Sequence, residues 1–97
     1  MPQDRDYILG TNNEELRRLG LQHNVWKPYV LECWQRAGIT VGHKVIDIGA
    51  GPGFATIDLA EIVGETGEVH YIERSDNFAK SITRLSLAGN YNNNKSI

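Results

Sequence analysis

The chain has 97 residues, 40% of them hydrophobic and 23% charged, which suits one small folded domain and excludes a disordered or fibrous chain. Ten Lys and Arg against twelve Asp and Glu leave a net charge of −2, which argues against a nucleic-acid grip carried by a broad basic surface. One cysteine, Cys33, closes no internal disulfide, and no apolar run approaches the roughly 20 residues of a membrane span, so a soluble, cytoplasmic protein is expected.

Residues 1–10 are polar and read as a loose lead-in. Thr11 stands three residues before Glu14, a capping-box spacing, and Leu16 and Leu19 follow at helical intervals, so a short helix is predicted near 12–19, stopped by Gly20. A second helix is predicted after Asn24. There Val30, Cys33, Trp34 and Ala37 share one face, Pro28 lies in the first turn, and Gly38 closes the end. On that face Cys33 reads as a small buried hydrophobe.

The texture then changes. Lys44-Val45-Ile46-Asp47-Ile48 is a short, largely apolar, β-branched run that enters the glycine cluster Gly49-Ala50-Gly51-Pro52-Gly53, as a buried strand enters a tight loop. Phe54 to Val63 reads as a helix ended by Gly64-Glu65-Thr66-Gly67. Glu68 to Glu73 is a second strand. Ser75 caps a further helix with Phe78, Ile82 and Leu85 on one face, and Gly89 ends it. The tail from Asn90 is rich in asparagine, with Lys95-Ser96-Ile97 the one candidate for a strand start. Strand–helix alternation of this kind implies an α/β fold with parallel pairing and right-handed crossovers. Strand 44–48 should then be buried on both faces, with strand neighbours on both sides.

The junction at 44–54 carries the chemistry. Glycines 49, 51 and 53 let the backbone turn sharply and let a ligand approach without a Cβ in the way, while helix 54–63 aims its free N–H groups at the same space. Glu73 ends the next strand, 24 residues after Gly49, where an acidic side chain can accept hydrogen bonds from a ribose. Together they make a nucleoside pocket at the carboxyl ends of two parallel strands. A phosphate-binding P-loop is excluded, since no Gly-Lys-Ser/Thr follows the glycines. Asp47, in an otherwise apolar strand, needs a partner, either a ligand or a donor of the protein itself. His43 and His70 have no second ligand at metal spacing, so no metal site is expected.

The segment Val45 to Gly53 resembles the first motif of class I S-adenosylmethionine-dependent methyltransferases, a hydrophobic strand, an acid and G-x-G-x-G. Val69 to Ser75 resembles that family's second strand with its terminal acid. Leu21-Gln22-His23-Asn24-Val25-Trp26 is similar to the cap helices that close over the cofactor in small-molecule methyltransferases of the ubiquinone-biosynthesis type. The resemblance spans about residues 11–90. It implies S-adenosylmethionine as cofactor, with Gly49, Gly51 and Gly53 under its methionine part and ribose and Ala50 on the same loop. Asp47 is then near its amino group, Glu73 on both ribose hydroxyls, Arg74 beside the adenine, and His23 and Trp26 at the pocket. It also implies a Rossmann-like fold truncated after the first two strands, with an arm and cap helices over 1–40 and an incomplete cofactor domain over 41–97.

The later strands of that family supply the substrate wall, so the expected function is methyl transfer to a small molecule with this chain as the cofactor-binding half, inactive alone and without a nameable catalytic residue. Two alternatives stand beside it. A dinucleotide-binding oxidoreductase half would use the same loop, against which Phe54 stands where G-x-G-x-x-G/A needs a small residue. A non-catalytic module would have its unpaired strand edge completed by a partner strand or a second copy, as a homo-oligomer.

Overall fold

In a computed structural model that describes residues 13–97, the elements follow in the order α1 (Asn13–Arg36), β1 (Lys44–Ile48), α2 (Phe54–Val63), β2 (Glu68–Ile72), α3 (Asp76–Ala88) and β3 (Asn94–Ser96). The expected lead-in and the Thr11 cap lie outside the described residues. The two helices predicted between 12 and 37 are one. Gly20 does not stop it, because a Cβ at that position would meet Phe54 Cζ at 3.1 Å; the glycine lets α1 lie against α2, and that contact overrides its poor helix propensity. Pro28 falls inside the helix rather than in a first turn, at the loss of the bond to the Asn24 carbonyl. No α1 residue is fully buried, and Cys33, expected inside, is exposed: the covered face is that of Leu16, Leu19, His23, Val30 and Trp34.

The strands form one parallel sheet in the order β1-β2-β3, with Lys44 to Ile48 paired in register with Glu68 to Ile72, and Val69 to Tyr71 with Asn94 to Ser96. Two expectations are corrected here. There are three strands, not two, and β1 lies at an edge while β2 is central. The third strand has little β-propensity of its own. Asn93 anchors its start: its carbonyl accepts from Val69 N–H at 2.8 Å, and its side-chain amide donates to the carbonyls of Ala60 and Gly64, both at 2.9 Å, at the C-terminal end of α2. The pairing continues to Ile97, whose N–H donates to Tyr71.

Alternate strand residues face alternate sides. Val45, Val69 and Tyr71 turn toward the helices, where Leu59, Ala60, Val63 and Val69 make the core, with Trp34, Ile39 and Tyr91 packed on it. The other face is uncovered, leaving Ile46 62% and Ile48 78% exposed. Ser75 caps α3 by accepting from Phe78 N–H at 3.2 Å, and Gly89 ends the helix as the sequence indicates. Among the described residues no helix is long and apolar enough to cross a membrane.

Candidate functional site

The loop between β1 and α2 sits at the carboxyl ends of β1 and β2, and β2 holds it there. The Ile72 carbonyl accepts from both Gly49 N–H, at 2.9 Å, and Ala50 N–H, at 3.1 Å. Gly49, Gly51 and Gly53 all have left-handed backbones, with φ of 67°, 62° and 98°. Beyond φ their surroundings differ. A Cβ at Gly49 or Gly51 would meet nothing within 4 Å, so these two border open space; a Cβ at Gly53 would meet Ile82 Cγ1 at 2.6 Å, so this one lets α3 approach α2. Gly53 also precedes the first turn of α2 and provides no side-chain cap, leaving that end of the helix without a side-chain acceptor.

Glu73 is tied to this loop directly. One carboxylate oxygen accepts from Gly51 N–H at 2.6 Å and the other from Ser75 N–H at 2.8 Å. An ionised carboxylate has about four lone-pair positions, so two backbone donors fix its orientation and leave acceptor capacity for hydroxyl donors. Asp47, one residue short of the end of β1, finds its partner within the protein: Thr56 Oγ1, fully buried on α2, donates to Asp47 Oδ2 at 2.7 Å. Among the described residues the second oxygen of Asp47 has no hydrogen-bond partner.

The remaining candidates are placed differently. His23 uses Nε2 on Asp58 Oδ2 of α2 at 2.7 Å, and its ring stacks on Phe54 with centroids 5.8 Å apart and planes 22° apart. Its direct neighbours are thus the first turns of α2. Trp26 is 56% exposed and its ring contact is with Tyr29, at 5.9 Å. Arg74 is exposed beside Glu73. The structure therefore brings Gly49, Gly51, Asp47 and Glu73 to one place, joins His23 to it through Phe54, and turns Trp26 outward. Thr56, Asp58 and Lys27 were not singled out by sequence. Asp58 carried a usable signal, an acid in the apolar run Leu59-Ala60 that must find a partner once buried, which is the reasoning that selected Asp47.

The sequence profile of the protein-L-isoaspartate(D-aspartate) O-methyltransferase family matches residues 11–93. The chain is 32% identical over 74 residues to the ubiquinone/menaquinone biosynthesis C-methyltransferase UbiE of Pasteurella multocida (strain Pm70), covering 72% of this chain and 26% of that protein. It is 48% identical over 42 residues to a protein-L-isoaspartate O-methyltransferase of Methanosarcina mazei, covering 40% and 17%. The fold is similar to that of a coclaurine N-methyltransferase solved with N-methylheliamine and SAH, with a TM-score of 0.63 and 26% identity over 71% of this chain and 20% of the other. The chain thus spans about a quarter of the length of the UbiE relatives it matches. A glycine loop followed by a strand-end acid, on a Rossmann-like sheet and under a profile that covers most of the sequence, leads to one assignment: the chain belongs to the protein-L-isoaspartate(D-aspartate) O-methyltransferase family of class I S-adenosylmethionine-dependent methyltransferases.

Proposed function

We propose that residues 41–97 bind S-adenosylmethionine at the Gly49–Gly53 loop, and that the chain provides the cofactor-binding half of a methyltransferase acting on a small molecule in the cytoplasm. The observation that carries this reading is the Glu73 carboxylate, oriented by Gly51 N–H and Ser75 N–H at the rim of a loop with open space at Gly49 and Gly51. The fit to the cofactor is chemical. A ribose offers two hydroxyl donors, and Glu73 has acceptor capacity left for them. An α-amino group needs an acceptor, and Asp47 keeps one oxygen beyond its Thr56 bond. An α-carboxylate needs N–H donors, for which the uncapped first turn of α2 is suited.

When bound, the cofactor supplies an activated methyl group on a sulfonium. The residues of this chain contribute binding and alignment, holding the ribose at Glu73 and the methionine end near Asp47, so that a nucleophile meets the methyl group in a fixed geometry. The UbiE relatives are C-methyltransferases of ubiquinone and menaquinone biosynthesis by name, and this supports a small-molecule acceptor. The dinucleotide alternative is disfavoured by Phe54 and by the family match. The helix α1, within residues 1–40, acts as the cap.

Titrating the 97-residue chain with S-adenosylhomocysteine, followed by calorimetry and heteronuclear NMR, tests the reading. Saturable binding with shifts centred on Gly49, Gly51 and Glu73 is the expected result. A well-dispersed spectrum that stays unchanged at millimolar ligand would rule it out.

A further inference from the structure

α1 meets α2 through a polar clasp that neither the glycine loop nor Glu73 requires. Asp58, 8% exposed, receives both of its partners from α1: His23 Nε2 at 2.7 Å on one oxygen and Lys27 Nζ at 3.2 Å on the other. A carboxylate this deeply buried is tolerated because each oxygen is met by a donor and a cation stands beside it. One turn earlier on α2, Phe54 packs under His23 and against the bare Cα of Gly20. Gly20, His23 and Lys27 recur at intervals of three and four on one helix, and Phe54 and Asp58 at an interval of four on the other, so each set lies along one face. Apart from the half-buried face that ends at Trp34, α1 has no fully buried residue along its 24. Phe54 follows Gly53 directly, so the clasp closes on the helix end that the cofactor loop feeds.

We propose that Asp58 is a positioning residue: through His23 and Lys27 it docks α1 beside the glycine loop, and this docking is coupled to cofactor binding. The inference rests on the cofactor reading above and adds the device that presents the cap to the site. Asp58 Oδ2 is the acceptor of this contact, so His23 Nε2 is its donor, and the ring is held with that edge toward α2. If the docked arrangement is the one competent to bind, loosening it reduces apparent affinity by the fraction that remains docked, and bound cofactor must in turn strengthen docking.

The test uses the 97-residue chain, with S-adenosylhomocysteine as probe, in Asp58→Asn, Lys27→Met and Lys27→Arg variants at a temperature where each is folded by near-ultraviolet circular dichroism. Asp58→Asn and Lys27→Met should bind at least about fivefold more weakly than the parent, with faster amide exchange in residues 16–27; Lys27→Arg should restore both. Lys27 is partly exposed, so its variants keep the test readable if Asp58→Asn does not fold. Ligand should slow exchange in residues 16–27 of the parent, a response that a merely structural ion pair would not give. Binding that is unchanged in Lys27→Met or Asp58→Asn while exchange rises overturns the coupling, as does exchange that ignores the ligand. A parent chain that binds no S-adenosylhomocysteine is a separate outcome: it removes the cofactor reading and the coupling with it, whereas binding indifferent to the clasp removes the coupling alone.

Discussion

Gly51 and Gly53 are equivalent in the G-x-G-x-G pattern but not in the fold, and substitutions should separate them. Both have left-handed φ, which for a residue with a Cβ costs roughly 1–2 kcal/mol. At Gly53 the added Cβ also runs into Ile82 at 2.6 Å, and overpacking of that kind adds about 1–3 kcal/mol. In urea denaturation, Gly53→Ala should therefore lose more stability than Gly51→Ala. The order reverses for S-adenosylhomocysteine binding, because a Cβ on Gly51 projects into the space proposed for the ligand. Equal losses in both measurements would refute the distinction between a packing glycine and a site glycine. Glu73→Ala bears on the same site. It removes the proposed ribose acceptor and strands the Gly51 and Ser75 N–H groups, so binding should weaken at least tenfold, given the roughly 1.5–3 kcal/mol associated with hydrogen bonds to charged groups. Calorimetry on the folded variant decides it.

At the scale of elements, β1, α2, β2 and α3 were legible in the sequence because their signals are local: apolar β-branched runs, glycine stops and the Ser75 cap. α1 was misread, and β3 was read only as a candidate strand start at Lys95-Ser96-Ile97, for a shared reason. Gly20 reads as a helix stop and Asn93-Asn94 as loop when each is judged alone, yet Gly20 admits Phe54 and Asn93 bonds to Ala60 and Gly64, contacts made across 29 or more residues of chain. Of the candidate site, Asp47 and Glu73 stand out in the sequence by type and position; Thr56 emerges only once α2 is placed, and Asp58 is an acid in an apolar run whose partners become visible only in the fold. Asn93→Ala should destabilise the chain by about 1–3 kcal/mol, since it leaves two carbonyls at the C-terminal end of α2 without that donor and loosens β3. A shift of the urea midpoint with little change in slope would register this. β3 is also joined to β2 through Glu68, which His70 Nε2 meets at 2.9 Å and Lys95 Nζ at 3.2 Å. The His70 hydrogen bond foremost, then Lys95, holds the Glu68 carboxyl below the usual carboxylate range. A depressed folded value stabilises the fold above the unfolded value of about 4.3, and that contribution fades as pH falls through the lower folded value. The NMR titration midpoint of the Glu68 carboxyl should lie below about 4.3 and move upward in Lys95→Met. A midpoint that ignores the substitution would disprove the link.

The whole molecule has one well-covered side and one bare one. Among the described residues, helices α1, α2 and α3 leave one face of the sheet uncovered and β1 presents an unpaired edge, with its own Ile46 and Ile48 exposed and Ile48 the most exposed of the large hydrophobics. A parallel strand with its backbone groups open on one side and isoleucines open on one face is a template for further pairing. Two copies related by a two-fold axis would meet β1 to β1 in antiparallel sense, and the same rotation would bring the Ile46 and Ile48 faces onto a continuous six-stranded sheet. The 97-residue chain should therefore sediment increasingly as a dimer as its concentration rises. Placing a charge at the most exposed of these positions, Ile48→Lys, sets like charges near one another across the axis and should shift the equilibrium toward monomer. The loop at Gly49–Gly53 leaves the carboxyl end of the same strand, so the predicted dimer contact and the proposed ligand site would share β1 without sharing side chains, and S-adenosylhomocysteine affinity should be retained in Ile48→Lys. Sedimentation velocity over a concentration series reads the first effect and calorimetry the second. A parent chain that stays monomeric throughout the series would show that the open edge is protected by means other than pairing.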